Sequence, residues 1–115
     1  MQTRPITVVE THVFRRQAEK IWDEAELAAL VDHLALNPEV GDAIPGTGGV
    51  RKLRWGRAGV GKRGGVRVIY FYYRPDCPLY FLLAYAKAQA SDLSGDEKKA
   101  VAAFAATIKA TVERR

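Results

Sequence analysis

Hydrophobic and polar residues recur along the first third of the chain in a pattern that predicts one strand and two helices. The segment Ile6–Phe14 is rich in β-branched residues, which favours a first strand, and a short helical stretch follows through Ile21. The next helix is predicted over DEAELAALVDHLALN, because leucine and valine recur there at helical spacing. Asp23 and Glu26 have the spacing of a capping box at its start, and the Asn-Pro pair at 37–38 ends it.

Three apolar segments follow a turn-rich stretch, and each is predicted to be a strand. They are Val50–Trp55, Val66–Tyr73 and Leu79–Lys87. Their short connections predict an antiparallel meander. The last part of the chain predicts a helix, since Ser94 and Glu97 form a capping box before an apolar stripe at helical spacing. The stripe consists of Val101, Phe104, Ile108 and Val112.

The order β-α-α-β-β-β-α predicts an α+β fold, with helices packed on a mostly antiparallel sheet. A length of 115 residues suggests a single domain over residues 1–115. No apolar run approaches the ~18 residues that span a bilayer, and the first residues lack the apolar core of a signal peptide. With one cysteine, Cys77, we expect a cytoplasmic protein without a membrane partner.

Positive charge is concentrated in the middle of the chain. Residues 50–90 contain nine Lys and Arg against one acidic residue, whereas residues 1–49 contain four against eight and residues 91–115 five against four. Such a segment attracts phosphate backbones or an acidic protein partner. The alternative is a solvated basic face that binds nothing.

Two nucleotide-binding patterns coincide in the segment GRAGVGKRGG at residues 56–65. Its glycines satisfy G-x-G-x-x-G, and its first seven residues satisfy the start of a P-loop. A P-loop requires a hydroxyl residue after the lysine, where this chain has Arg63, and both motifs require a helix after the loop. A predicted strand follows here instead. We therefore interpret the segment as a long hairpin loop that carries Arg57, Lys62 and Arg63.

Cations on the predicted strands are the best candidates for chemistry. Side chains alternate along a strand, so Lys52 and Arg54 share one face, while Arg67 lies between two valines on the next strand. Lys87 ends the third strand. Because neighbouring strands lie about 4.8 Å apart, these four cations can converge on a phosphodiester and stabilise its transition state. The alternative is a set of charges at the sheet rim that pair with the acidic first third of the chain.

Other chemistries find little support in the sequence. His12, in the predicted first strand, and His33, on the predicted helix, are distant from the basic segment, and a lone histidine supports no specific role. No His and Cys residues have metal-ligand spacing, so neither a metal nor a cofactor is expected. Tyrosines in strands are more often packing residues, although Tyr85 near Lys87 could stack on a base.

The sequence resembles the RelE/ParE toxin superfamily, and within it the HigB-like RelE branch. The resemblance rests on GDAIPGTGGVRKLR, GKRGGVRVIY and the pattern Y-x-K-x-x-x-x-D-L, which together span Gly41 to Leu93. It implies a compact α+β fold and a toxin of a type II toxin–antitoxin pair that cleaves mRNA in the ribosomal A site. It also implies an antitoxin partner with a helix-turn-helix DNA-binding domain.

By the same resemblance, the catalytic positions are Lys52, Arg54, Arg67 and Lys87. Residues that would contact RNA or the ribosome are Arg57, Lys62, Arg63 and Tyr85.

Two alternatives stay open, and departures from the family pattern support the second of them. Ala88 and Ala90 stand where many relatives have polar residues, and Ser94 lies where some have a tyrosine. The general acid and base are therefore unassigned. One alternative is a ParE-like toxin that inhibits DNA gyrase, since the fold is shared. The other is a catalytically degenerate toxin that only binds its antitoxin.

Overall fold

The computed structural model describes residues 4–56, 65–86 and 92–114. In these residues one five-stranded sheet carries helices on both faces, which confirms the predicted α+β fold. The elements in chain order are β1 (Val8–Glu10), α1 (His12–Ile21), α2 (Glu24–Leu36), β2 (Asp42–Ala43), β3 (Val50–Trp55), β4 (Val66–Phe71), β5 (Leu79–Ala86) and α3 (Gly95–Glu113).

The strands lie in the order β1-β5-β4-β3-β2. Strands β3, β4 and β5 pair antiparallel, as predicted for the meander. Strand β2 also pairs antiparallel with β3, and β1 pairs parallel with β5. Between β4 and β5 the register shifts after Ile69, where Tyr70 faces Phe81 rather than Leu82. The extra residue on β5 is a bulge, which locally bends and twists a strand.

Two hydrophobic clusters hold the helices to the two faces of the sheet. On one face, α1 and α2 contribute Phe14 and Leu30 to a cluster with Val68 and Phe81. The rings of Phe14 and Phe81 stack with centroids 4.5 Å apart. On the other face, α3 packs Val101 and Ala105 against strands β3, β4 and β5. The sheet is therefore the middle layer of the fold.

Both predicted capping boxes are present. The Asp23 carboxylate accepts a hydrogen bond from the Glu26 amide at 2.8 Å, and the Glu26 carboxylate accepts one from the Asp23 amide at 3.0 Å. Ser94 and Glu97 make the equivalent pair at the start of α3. These bonds satisfy amides that a helix start leaves without a partner, which is why the sequence located both helix starts correctly.

The predicted first strand was too long. Strand β1 ends at Glu10, and α1 already begins at His12, so His12 lies in the first turn of a helix and not in a strand. Phe14 and Ala18 lie one helical turn apart and are both buried. Packing of this helix face outweighs the preference of the β-branched residues for a strand. Thr11 fixes the boundary, because its hydroxyl donates to the Phe81 carbonyl at 2.7 Å.

Strand β2 was not predicted, and it adds one strand to the predicted order. It is two residues long and is defined by pairing with β3, within a segment whose composition indicates only a turn. The connection from β2 to β3 contains Gly46 and Gly48 at φ 77° and 74°, a conformation that favours glycine. Thr47, between them, is buried and donates to the Ile44 carbonyl at 2.6 Å.

Candidate phosphate-binding site

Strand register brings two of the predicted catalytic cations together. Arg54 on β3 is the direct partner of Arg67 on β4, and Arg67 is in turn the partner of Tyr85 on β5. Side chains at paired positions lie on the same face, with Cβ atoms about 4.5–5.5 Å apart. Arg54, Arg67 and Tyr85 thus form one row across the sheet, which we call the arginine row.

The arginine row lies on the α3 face of the sheet. Ile69 and Phe71, which follow Arg67 at the two-residue period of a strand, belong to the cluster under α3. Val66 and Val68, the residues on either side of Arg67, point into the cluster under α1 and α2. The predicted alternation of the arginine between two apolar valines is therefore confirmed.

Arg67 is buried although it is charged. Only 7% of its surface is exposed, and its Nη1 atom is buried with no hydrogen-bond partner among the described residues. A buried donor left without a partner is costly, and more so when the group is charged. An anion that enters the row would supply the missing acceptor. A guanidinium suits a phosphate especially well, since its planar fork can donate two parallel hydrogen bonds.

Tyr85 is the second buried polar group of the row. It is 8% exposed, and its hydroxyl has no hydrogen-bond partner among the described residues. Burial, followed by the charge of Asp92, raises the pKa of Tyr85, so that the hydroxyl stays protonated as a donor. Because the ring belongs to the α3 cluster, it offers little open surface for a base to stack on. A contact with RNA stays a prediction, and the hydroxyl is the atom that could make it.

Lys52 lies one step along β3 from the arginine row. Its ammonium Nζ is 3.7 Å from a carboxylate oxygen of Asp92, and both side chains are partly exposed. The backbone amide of Leu93, and then Lys52, hold the pKa of Asp92 below its ordinary value. On the other side, Asp42 is the direct strand partner of Lys52. The lysine therefore lies between two carboxylates, and the carboxylate paired with it comes from the last third of the chain.

The alternative interpretation was that the strand cations pair with acidic residues from the first third of the chain. The structure supports it for part of the set. Asp42 is the acidic residue of that third that strand pairing places beside Lys52. Arg51, on the opposite face, donates to the carbonyls of Glu39 and Gly41 at 3.0 and 2.7 Å. In the described strand pairings, Arg54 and Arg67 are partners of each other and of Tyr85, and none of their partners is an acidic residue of the first third.

Several predicted residues lie outside the described part of the chain. They are Lys87 of the catalytic set and Arg57, Lys62 and Arg63 of the RNA-contacting set, together with Ala88 and Ala90. The element that follows the two glycine motifs is strand β4, which pairs with β3 from the Val66–Trp55 pair onward. A strand at this position confirms that the two glycine motifs lack the helix that phosphate-binding loops require.

The histidines lie away from the arginine row. His33, on α2, has its ring 5.0 Å from the ring of Trp55, on the opposite face of the sheet. His12 is exposed at the start of α1. Within residues 4–56, 65–86 and 92–114, no group of three or more His, Cys, Asp or Glu side chains could hold a metal ion. Among the helices of the same residues, none is long and apolar enough to cross a membrane.

Asp42 and Asp92 are the site residues that sequence reasoning missed. Asp92 is part of the pattern Y-x-K-x-x-x-x-D-L, but spacing along the chain does not reveal that it reaches Lys52 on another element. Asp42 belongs to the unpredicted strand β2.

A comparison with protein families identifies a matching family model. The family model described as "RelE toxin of RelE / RelB toxin-antitoxin system" matches residues 6–115, nearly the whole chain. The protein therefore belongs to the RelE toxin family. It is a toxin of a type II toxin–antitoxin system, a class of proteins that are generally mRNA interferases and that have an antitoxin as partner.

Proposed function

We propose that this RelE-family toxin is a ribosome-dependent endoribonuclease that cleaves mRNA and so stops translation. The buried Arg67, whose Nη1 has no partner among the described residues, is the observation that carries the proposal. A desolvated guanidinium beside the exposed Arg54 suits a phosphodiester, whose negative charge increases as it is attacked. We further propose that the protein belongs to the HigB-like branch and acts in the cytoplasm without a cofactor.

The reaction we propose is attack by the ribose 2′-hydroxyl on the adjacent phosphorus. The bond from phosphorus to the 5′-oxygen of the next nucleotide breaks, leaving a 2′,3′-cyclic phosphate and a free 5′-hydroxyl. Arg67 and Arg54 would stabilise the charge on the non-bridging oxygens. Removal of one donor of this kind from an enzyme costs about 10²–10³ in rate.

Proton transfer is assigned to Lys52 and Lys87 in this proposal. One lysine would take the proton of the 2′-hydroxyl and another would donate a proton to the departing 5′-oxygen. A general base must be neutral, so we propose that Lys87 takes the proton and that Lys52, which pairs with the Asp92 carboxylate at 3.7 Å, donates one. The ribosome would supply the RNA geometry, and Lys62, Arg63 and Arg57 would contact RNA or ribosome.

Controlled expression without an antitoxin tests the function. We expect wild type to stop growth and translation within minutes of induction, and Arg67→Ala to relieve both effects. Arg74→Ala is the matched control, because Arg74 is an exposed arginine that pairs with Asp76 at 2.7 Å in the turn before β5. Cleaved mRNA should carry 2′,3′-cyclic phosphate ends, detected as ends that ligate only after enzymatic phosphate removal.

Two outcomes of the same experiment would overturn the proposal. Intact mRNA with inhibited DNA supercoiling would indicate a gyrase toxin, and intact mRNA with normal growth would indicate a toxin that only binds its antitoxin. We propose that the antitoxin is a helix-turn-helix DNA-binding protein. An acidic or amphipathic segment of such a partner would complement the basic segment of this chain.

A further inference from the structure

The arginine row is closed in the free protein. The Nη1 atom of Arg67 and the hydroxyl oxygen of Tyr85 are both buried, and neither has a hydrogen-bond partner among the described residues. A buried atom offers no surface to a ligand, so an anion can pair with these two donors only after a part of the fold moves aside. A cover over the row must therefore open before a phosphate binds to both groups.

The segment Asp92–Ala100 at the start of α3, which we call the cover segment, places negative charge beside the row. Its Asp92 carboxylate lies 3.7 Å from the Lys52 ammonium. Burial, and then the charges of Asp92 and Glu97, raise the pKa of Tyr85, so both carboxylates act on its hydroxyl. These carboxylates would repel a phosphate that entered here. In the free protein, Asp92 thus pairs with a cation that the proposed reaction uses.

The cover segment is held only loosely to the sheet. Every residue of 94–100 is exposed, and Val101 is the first buried residue of α3. Before the helix, the half-buried Leu93 packs against the cluster under α3. The pair of Lys52 with Asp92, which joins the segment to β3, is partly exposed, and pairs of this kind contribute little to stability. Movement of the segment therefore breaks few strong contacts.

Open space lies on both sides of the cover segment. One open cavity of about 240 Å³ has an apolar lining that includes Leu82 and Leu83 of β5 and Ala100 of the helix. Another, of about 410 Å³, is lined by residues of β2 and β3 and by Lys98 of the helix. The segment can therefore change its position without first displacing packed side chains.

The second half of α3 is held more firmly. Near the end of the helix Val112 is buried, and the Tyr73 hydroxyl donates to the Glu113 carboxylate at 2.6 Å. In the middle of the helix, the ring of Phe104 meets the ring of Tyr80 edge to face, with centroids 5.3 Å apart. A rotation of α3 would therefore pivot on its second half and displace the cover segment most.

We propose that the cover segment is autoinhibitory: it closes the arginine row in the free toxin and moves away when an RNA phosphate displaces Asp92 from Lys52. The inference deepens the proposed function and rests on its phosphate site. Lys52 exchanges one anionic partner for another in this step, so it stays protonated as the proposed proton donor. The opened row then offers the phosphate the donors of Arg67 and Tyr85.

Binding of a short single-stranded RNA with 2′-O-methyl groups, which lacks the attacking hydroxyl, tests the competition. In fluorescence anisotropy at fixed salt, Asp92→Asn should bind about two- to fivefold more tightly than wild type, the ratio that corresponds to loss of an exposed ion pair. Asp96→Asn is the matched control, because it removes an exposed aspartate from the same segment and changes the net charge equally. In a Lys52→Gln background, Asp92→Asn should give no gain. An Asp92→Asn protein that binds no more tightly than Asp96→Asn would overturn the inference.

Distances between spin labels test the movement in protein that keeps Asp92. One label is attached at Ala29→Cys on α2, on the opposite face of the sheet, and the other at Lys99→Cys in the cover segment. The buried Cys77 is replaced by alanine in both proteins. On addition of the RNA, this distance should change by more than the about 1–2 Å of small helix shifts. A control pair with Ala110→Cys, on the firmly held half, should change less, and an unchanged distance to Lys99→Cys in the RNA-bound protein would overturn the cover.

Cleavage separates failure of the cover from failure of the function. Tighter RNA binding by Asp92→Asn and movement of the cover segment, with mRNA intact in a translating system, would support the cover and overturn the ribonuclease function. Cleaved mRNA without either change would overturn the cover alone. If neither wild type nor Asp92→Asn binds the RNA, both the cover and the phosphate site are wrong.

Discussion

Replacing Arg67 with methionine should make the protein more stable and should slow the proposed mRNA cleavage. The side chain is 93% buried, since 7% is exposed, and its Nη1 has no hydrogen-bond partner among the described residues. A buried donor without a partner costs about 1–3 kcal/mol, and a charged one costs more. Methionine keeps an unbranched apolar stem without a polar end. We therefore expect Arg67→Met to raise the free energy of unfolding by about 1–3 kcal/mol.

The same substitution should lower the cleavage rate by about 10²–10³, because it removes a donor to the developing phosphate charge. Stability is measured by urea unfolding followed by circular dichroism, and the melting temperature should rise by roughly 3–6 °C for each kcal/mol in a domain of this size. Cleavage is measured on a defined mRNA in a reconstituted translation system. The two quantities should change in opposite directions.

Arg51→Met is the matched control on the same sheet. Arg51 donates to two backbone carbonyls, at 3.0 and 2.7 Å, so its replacement removes two hydrogen bonds from a charged donor and should destabilise the fold by about 1–3 kcal/mol. If Arg67→Met is instead less stable than wild type by more than about 1 kcal/mol, the guanidinium has favourable partners in the free protein. The account of Arg67 as a desolvated anion site would then be wrong.

Three further predictions concern the surroundings of the arginine row. Asp92→Asn should be less stable than wild type near neutral pH. Because the pKa of Asp92 is lowered in the folded state, the difference in melting temperature between the two proteins should shrink as the pH falls from about 5, and it should vanish below the folded-state pKa. Arg54→Gln should lower the slope of log binding constant against log salt for single-stranded RNA by about 0.7, if Arg54 contacts one phosphate. Gly41→Ala should destabilise the fold by about 1–3 kcal/mol in urea unfolding, because the new Cβ would lie 2.8 Å from the Tyr70 ring and disturb the 2.8 Å hydrogen bond from the Gly41 amide to its hydroxyl.

Local signals in the sequence were sufficient for most helices and strands. The capping boxes at Asp23 and Ser94 place a hydrogen-bond acceptor on the residue where each helix begins, so those boundaries need no tertiary information. Strand β3 was predicted with its observed bounds. Strand β2 and the early start of α1 could not be predicted in this way, because they depend on pairing with β3 and on packing against Phe81.

Only the part of the candidate site that follows from the alternation of side chains along a strand was predictable from the sequence. The two-residue period of a strand is sufficient to place Lys52 and Arg54 on one face. It does not say that Arg67 is buried while Arg54 is exposed, since burial depends on how far α3 covers the sheet. Nor does it place Asp92 beside Lys52, because that contact joins the start of α3 to β3.

If the proposed phosphate site is correct, the difference in burial between Arg67 and Arg54 gives the two arginines different parts in binding. All six residues of β4 are buried, so Arg67 is held within a strand whose neighbours pack on both faces. A rigid side chain loses little freedom when a ligand binds, whereas an exposed one loses about 0.5–1.5 kcal/mol on being ordered. In the proposed mechanism, Arg67 would therefore fix the position of the phosphate, and the exposed Arg54 would follow the phosphate as its geometry changes during attack. This arrangement needs the desolvation of Arg67, since the same guanidinium in water would interact with a phosphate far more weakly.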